Sequence, residues 1–195
     1  NTWRSCLPLS QRRTGAVAGV VGGRLVVAGG YADGDGRLTS VEAYTPTGWT
    51  PLPPLPHAAN QATACVLNGR LYVMGGFFCN NKLQVLEMSE ENEFSWTVKG
   101  DLPWANPCVE RYSAASAVVD GKVWLMGGLV TEEDEGIEQQ PTASVSIYDP
   151  SLDSWAAGPP LPCPLPWPDP SHRRSSSGQP VERHLFAQCE FPSWR

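Results

Sequence analysis

The stretch Asn68-Gly69-Arg70-Leu71-Tyr72-Val73-Met74-Gly75-Gly76 decides the fold. An Asn-Gly pair accepts the positive φ that both central positions of a tight hairpin turn require. Five residues of strand-forming type follow, and a Gly-Gly pair ends them. The same arrangement occurs twice more. Gly22-Gly23 leads into Arg24-Leu25-Val26-Val27-Ala28 and Gly29-Gly30, and Asp120-Gly121 leads into Lys122-Val123-Trp124-Leu125-Met126 and Gly127-Gly128. In every copy the first Gly of the pair stands six positions after the turn Gly, and successive pairs lie 46 and 52 residues apart. Self-similarity at such a period signals a repeat architecture, in which each copy is one supersecondary unit that buries its apolar face against its neighbours.

Working outward, the segments 14–21, 61–67 and 113–119 precede the three turns and are built of small and β-branched residues, so each copy opens with a hairpin. A third strand is predicted at 40–44, 83–87 and 144–148, where polar and apolar residues alternate. A fourth begins at Trp49, Trp96 and Trp155, and seven positions after each Trp stands the Pro of a Leu-Pro pair, at Pro56, Pro103 and Pro162. A small-residue strand, a hairpin turn, an apolar strand ending in Gly-Gly, a Tyr on the third strand, then Trp and Leu-Pro together resemble the kelch repeat, over residues 3 to 162. The second copy departs from it by lacking a Tyr where Tyr44 and Tyr148 sit.

The resemblance implies an all-β chain, a partial kelch-type β-propeller of about three four-stranded antiparallel blades. The expected organisation is 1–10 as the tail of a preceding repeat, 11–56, 57–103 and 104–162 as three repeats, and 163–195 as a disordered extension rich in Pro, Ser and Arg. Trp3 with Leu7-Pro8 reads as the end of a blade, so the chain is expected to begin inside one. Propellers have four or more blades around a channel, so three are expected to be a fragment with exposed, adhesive ends.

Of the 195 residues, 41% are hydrophobic and 17% charged, and 19 Gly and 19 Pro suit many short elements joined by turns. The net charge of −6 argues against nucleic acid or an anionic membrane as partner, since both present phosphate. The 195 residues open with no charged start followed by an apolar run of signal-peptide length and hold no apolar run of membrane-span length, and with no N-x-[ST] sequon among them the expected setting is intracellular, in the cytoplasm. The six cysteines show no C-x-x-C spacing and are expected to be reduced, structural thiols.

In a four-stranded meander the connections from first to second and third to fourth strand share one end of the blade. Those from second to third strand and from blade to blade share the other. The first set is short here, so the binding surface is expected on the second. On that rim lie Tyr31, Phe77, Phe78, Asn80 and Trp104, with the aromatics as candidate interface anchors or as packing between blades. Arg13 and Arg111 occupy one repeat position, filled by Ala59 in the second copy, and stand where kelch proteins that recognise acidic peptides place basic residues. A structural role for both, bonding loop carbonyls, is the competing reading. The acidic insertion at 131–141 is expected to be a solvated loop, and Asp33-Gly34-Asp35-Gly36 lacks the closing Glu of a calcium loop.

Only His57, His172 and His184 offer imidazoles, and no nucleophile elbow or phosphate-binding Gly loop occurs, so no catalytic, metal or cofactor-binding residues are assigned. The expected function is a non-catalytic scaffold for a protein or peptide partner, as the family resemblance implies, with substrate recognition for a ubiquitin-ligase adaptor as one form of it. The alternative is part of a kelch-propeller enzyme, of sugar-oxidase or epimerase type, whose site residues lie mostly elsewhere.

Overall fold

The computed structural model describes residues 2–3, 5–77, 81–103, 110–132 and 138–164. Three four-stranded antiparallel sheets follow one another along the chain. Blade one comprises β1 (Val17–Val21), β2 (Arg24–Ala28), β5 (Val41–Thr45) and β6 (Gly48–Leu52). Between its second and third strands a small hairpin, β3 (Tyr31–Ala32) and β4 (Gly36–Arg37), stands apart. Blade two is an uninterrupted meander of β7 (Thr63–Leu67), β8 (Arg70–Met74), β9 (Lys82–Met88) and β10 (Phe94–Asp101). Next comes β11 (Glu110–Tyr112), then blade three with β12 (Ala115–Val119), β13 (Lys122–Met126), β16 (Val145–Asp149) and β17 (Ser154–Ala157). Its second-to-third connection carries β14 (Leu129–Glu132) and β15 (Glu138–Pro141). Among the described residues no helix is long and apolar enough to cross a membrane.

The turn chemistry acts as its residue types dictate. Asn68 and Gly69 have φ of 51° and 73°, Asp120 and Gly121 of 49° and 72°, and Gly22 and Gly23 of 56° and 73°. Each first strand starts later than the segments 14–21, 61–67 and 113–119 suggest. The cause is a shared kink: Gly15, Gln61 and Ser113, at one repeat position, all adopt φ between 51° and 60°. The kinked residues link the blades, because the Gln61 N–H donates to the Gly15 carbonyl at 2.9 Å and the Ser113 N–H to the Gln61 carbonyl at 2.8 Å.

Two apolar cores fill the seams between blades. Val17, Val21, Val26, Val41 and Ala43 of blade one pack with Leu71, Val73 and Leu86 of blade two. Leu67, Tyr72, Met74, Leu83 and Val85 of blade two pack with Val123, Leu125 and Tyr148 of blade three. Backbone bonds cross both seams: Gly30 donates to the Ala59 carbonyl at 2.6 Å, and Gly76 to that of Arg111 at 3.0 Å. The repeated tryptophans staple the outer strands. Trp96 Nε1 donates to the Pro53 carbonyl at 2.9 Å, and Trp49 Nε1 to the Leu7 carbonyl at 3.0 Å, so Leu7 sits on blade one as the end of blade one sits on blade two.

The cysteine expectation is corrected at one position. Cys163 is disulfide-bonded, with a partner outside the described residues, while Cys6 and Cys65 are free. Burial pushes the Cys65 thiol up to about 11. Since the thiolate is the nucleophile, a thiol reagent should modify exposed Cys6 in the native protein and spare Cys65 until the chain unfolds; peptide mapping of the adducts checks this. From residue 165 onward the predicted disordered extension lies outside the described residues.

Candidate binding face

The second-to-third-strand connections of blades one and three carry added structure at one end of the blades. In blade one, Thr14 and Tyr31 exchange backbone hydrogen bonds of 2.9 and 2.8 Å, and Leu38 returns to Gly30 with a bond of 2.8 Å and buries its side chain. The hairpin is thus fixed while the Tyr31 side chain stays 42% exposed. Gln11 donates to the Asp35 carboxylate at 2.8 Å at its tip. In blade three the acidic insertion is a β-hairpin rather than a plain loop, with Leu129 paired to Pro141 and Thr131 to Gln139. The segment β11 adds a third strand to it, Arg111 facing Val130 in the register. Residues 133–137 lie outside the described residues.

The two arginines are not on the surface. Arg13 donates to the carbonyls of Gly29 (2.7 Å) and Ser40 (3.0 Å) and pairs with the Glu42 carboxylate at 2.6 Å, both side chains almost wholly buried. Arg111, 2% exposed, donates through Nε to Gly127 and through Nη2 to Ser144 at 2.7 Å. Gly29 and Gly127 end the second strands, and Ser40 and Ser144 precede the third. Each guanidinium therefore clamps the mouth of its own second-to-third-strand connection, in the structural role that had competed with peptide capture. Burial lowers the Arg111 guanidinium to about 10, still cationic at neutral pH. Phe77 packs on Tyr112 with ring centroids 4.8 Å apart, so it too is engaged across the seam. Phe78, Asn80 and Trp104 lie outside the described residues.

A second set of residues was not singled out from sequence. Glu42, Gln84 and Ser146 share one position on the third strands and are all buried. Glu42 also accepts the Ser10 N–H at 3.0 Å, and Gln84 exchanges bonds of 2.9 and 3.1 Å with the backbone of His57. In both blades a buried polar side chain thus ties down the chain entering the first strand. A polar residue at the same place in three copies was the available signal. Burial alone would raise the Glu42 carboxyl, but hydrogen bonds from Ser10 and Arg13 and the charge of Arg13 outweigh it and hold it below its usual value. A lowered folded-state value contributes stability above the unfolded value of about 4.3, lost as pH falls through the folded one. Melts of the native chain and Glu42→Gln should therefore differ clearly at neutral pH and converge on acidification; a gap independent of pH would remove the ion pair from the account.

A sequence profile of the Kelch motif matches residues 12–56 and 110–162, together half of the chain. Residues 57–109, which it leaves out, nonetheless hold the four strands of blade two. The human Kelch repeat and BTB domain-containing protein 12 is 30% identical over 87 residues, covering 44% of this chain and 13% of that protein. Its counterpart from Danio rerio is 30% identical over 83 residues, 42% of this chain and 12% of that protein. The chain thus spans about an eighth of the length of these relatives. The solved structure of YjhT superposes with a TM-score of 0.60 at 21% identity, over 78% of this chain and 53% of that one, and shows the fold alone. The repeated sheets and the matching profile agree: the chain belongs to the kelch-repeat family and folds as part of a kelch β-propeller.

Proposed function

We propose that the chain is a non-catalytic scaffold that presents the second-to-third-strand and blade-to-blade connections to a protein or peptide partner. The observation that carries this reading is Tyr31: its backbone is fixed by paired bonds to Thr14 while its ring stands open to solvent on the rim. A rigid aromatic anchor of this kind gives contact area with little ordering entropy. Arg13 and Arg111 act from below, holding the connections in place rather than meeting the partner. Substrate recognition for a ubiquitin-ligase adaptor is the finer form of the proposal, and the BTB domain in the names of the two relatives supports it.

Photo-crosslinking in cells tests the reading. A photoreactive residue at Tyr31 or Asp33 should give protein adducts, whereas one at Leu152, 72% exposed at the opposite end of blade three, should not. Adducts formed from Leu152 alone would sink the proposed face.

A further inference from the structure

The two seams differ at the end of the blades opposite the rim. In the first, Val26, Ala43 and Leu52 of blade one meet Leu86, Met88 and Phe94 of blade two, and the seam is apolar. Met88 lies over Gly22, where an added Cβ would approach its sulfur to 2.3 Å, and Arg24 lies over the Phe94 ring, 5.5 Å from its centroid. At the corresponding positions of the second seam stand Tyr72, Val85 and Lys99, facing Tyr148, Pro150 and Asp153. Apolar filling has been partly replaced by hydroxyls and charges, and a cavity of about 150 Å³ opens between the blades, lined by Arg70, Glu87, Thr97, Lys99 and the two tyrosines Tyr72 and Tyr148 over an apolar floor of Val85 and Pro150.

The lining is rich in hydrogen-bond donors. Arg70 Nε is held by the Glu87 carboxylate at 2.9 Å, and its guanidinium also hydrogen-bonds the Tyr72 hydroxyl, so both anchor it at the cavity wall. Lys99 Nζ stands 3.5 Å from Asp153, a loose contact for an ammonium with three donors. Asp153 accepts the Tyr148 hydroxyl on one carboxylate oxygen in a short bond and faces Lys99 with the other. Thr97 lines the cavity beside Lys99. An arginine, a lysine and a threonine line this one space, with the Glu87 and Asp153 carboxylates beside the two cations, and they offer the charge-assisted donors that a compact oxyanion takes.

We propose that the cavity between blades two and three binds a phosphate-type oxyanion, free or carried on a phosphorylated side chain, through Arg70, Lys99 and Thr97. The site lies at the end away from Tyr31 and does not depend on the scaffold reading. Inorganic phosphate is the first probe, with thermal unfolding of the whole chain followed in phosphate and in chloride of equal ionic strength. Binding in the millimolar range raises the midpoint by mass action at about 10 mM phosphate. General exclusion of phosphate from protein surface acts on every variant alike. Lys99→Met and Thr97→Val should each weaken the site-specific rise, Lys99→Met by roughly tenfold in affinity, as expected for a lost charge-assisted bond. Lys122→Met, on another exposed lysine, should keep it. A phosphoserine peptide that binds more tightly than phosphate assigns the anion to a protein source, and equal binding assigns it to the free ion. The proposal is overturned if phosphate gives no rise beyond chloride, or if the rise survives unchanged in both cavity variants.

Discussion

Gly75→Ala should destabilise the protein by about 3 to 5 kcal/mol, whereas Gly69→Ala should cost only about 1. Both glycines have positive φ, 67° at Gly75 and 73° at Gly69, so both substitutions carry the backbone penalty of an L-residue in the left-handed region. They differ in surroundings. A Cβ at Gly69 meets nothing within 4 Å, while one at Gly75 would stand 2.2 Å from the Arg111 carbonyl oxygen. That carbonyl accepts the Gly76 N–H across the second seam, so it cannot retreat without breaking the bond that joins blades two and three. Gly29 repeats the geometry in the first seam, with the Ala59 carbonyl 2.3 Å from the added atom. Urea unfolding of the two alanine variants isolates the steric part as their difference. Equal losses would mean that the seam is not packed as described.

Arg111→Ala should lose about 3 kcal/mol or more, a fall in midpoint of roughly 6 to 12 °C for a chain of this size. The substitution removes donors from two carbonyls, of Gly127 and Ser144, at the mouth of the blade-three connection and leaves a void in a nearly closed site. Arg111→Lys should recover little, because one ammonium cannot reproduce the planar fork that reaches both oxygens. Calorimetry on the two variants checks both statements. A loss near zero for alanine would mean that the clamp on the Gly127 and Ser144 carbonyls does not hold the connection in place.

The strands were legible because their signals are local. Turn pairs such as Asn68-Gly69, the runs that end in Gly-Gly and the recurring tryptophans dictate hairpins and outer strands without reference to anything distant. The exact start of each first strand was less so, since non-Gly residues at positive φ, Gln61 and Ser113, carry no strong local signature. The sheet of β11, β14 and β15 joins segments separated by a whole hairpin, and no period in the sequence announces such a pairing. Arg13 and Arg111 were legible as equivalent cations on the rim side of the blades, but their burial was not. An arginine before a strand reads the same whether it faces solvent or carbonyls 16 to 33 residues further along the chain. Glu42 and Gln84 were the reverse case, visible as a recurring polar position yet meaningless until the chain entering each blade is seen beside them.

The bonds from Gly15 to Gln61 and from Gln61 to Ser113 bear on how the molecule comes apart. Each blade is held by its own ladder and by whatever lies on either side of it, so stability is distributed as in a one-dimensional array with nearest-neighbour coupling. Blade two shares both of the seams described and cannot loosen without opening two cores at once, whereas blades one and three each disrupt one of them. Within this set of blades local opening is therefore graded, easiest at the flanks and hardest in the middle. The copy that strays furthest from the repeat pattern, without a Tyr on its third strand, is the one that its neighbours hold most firmly.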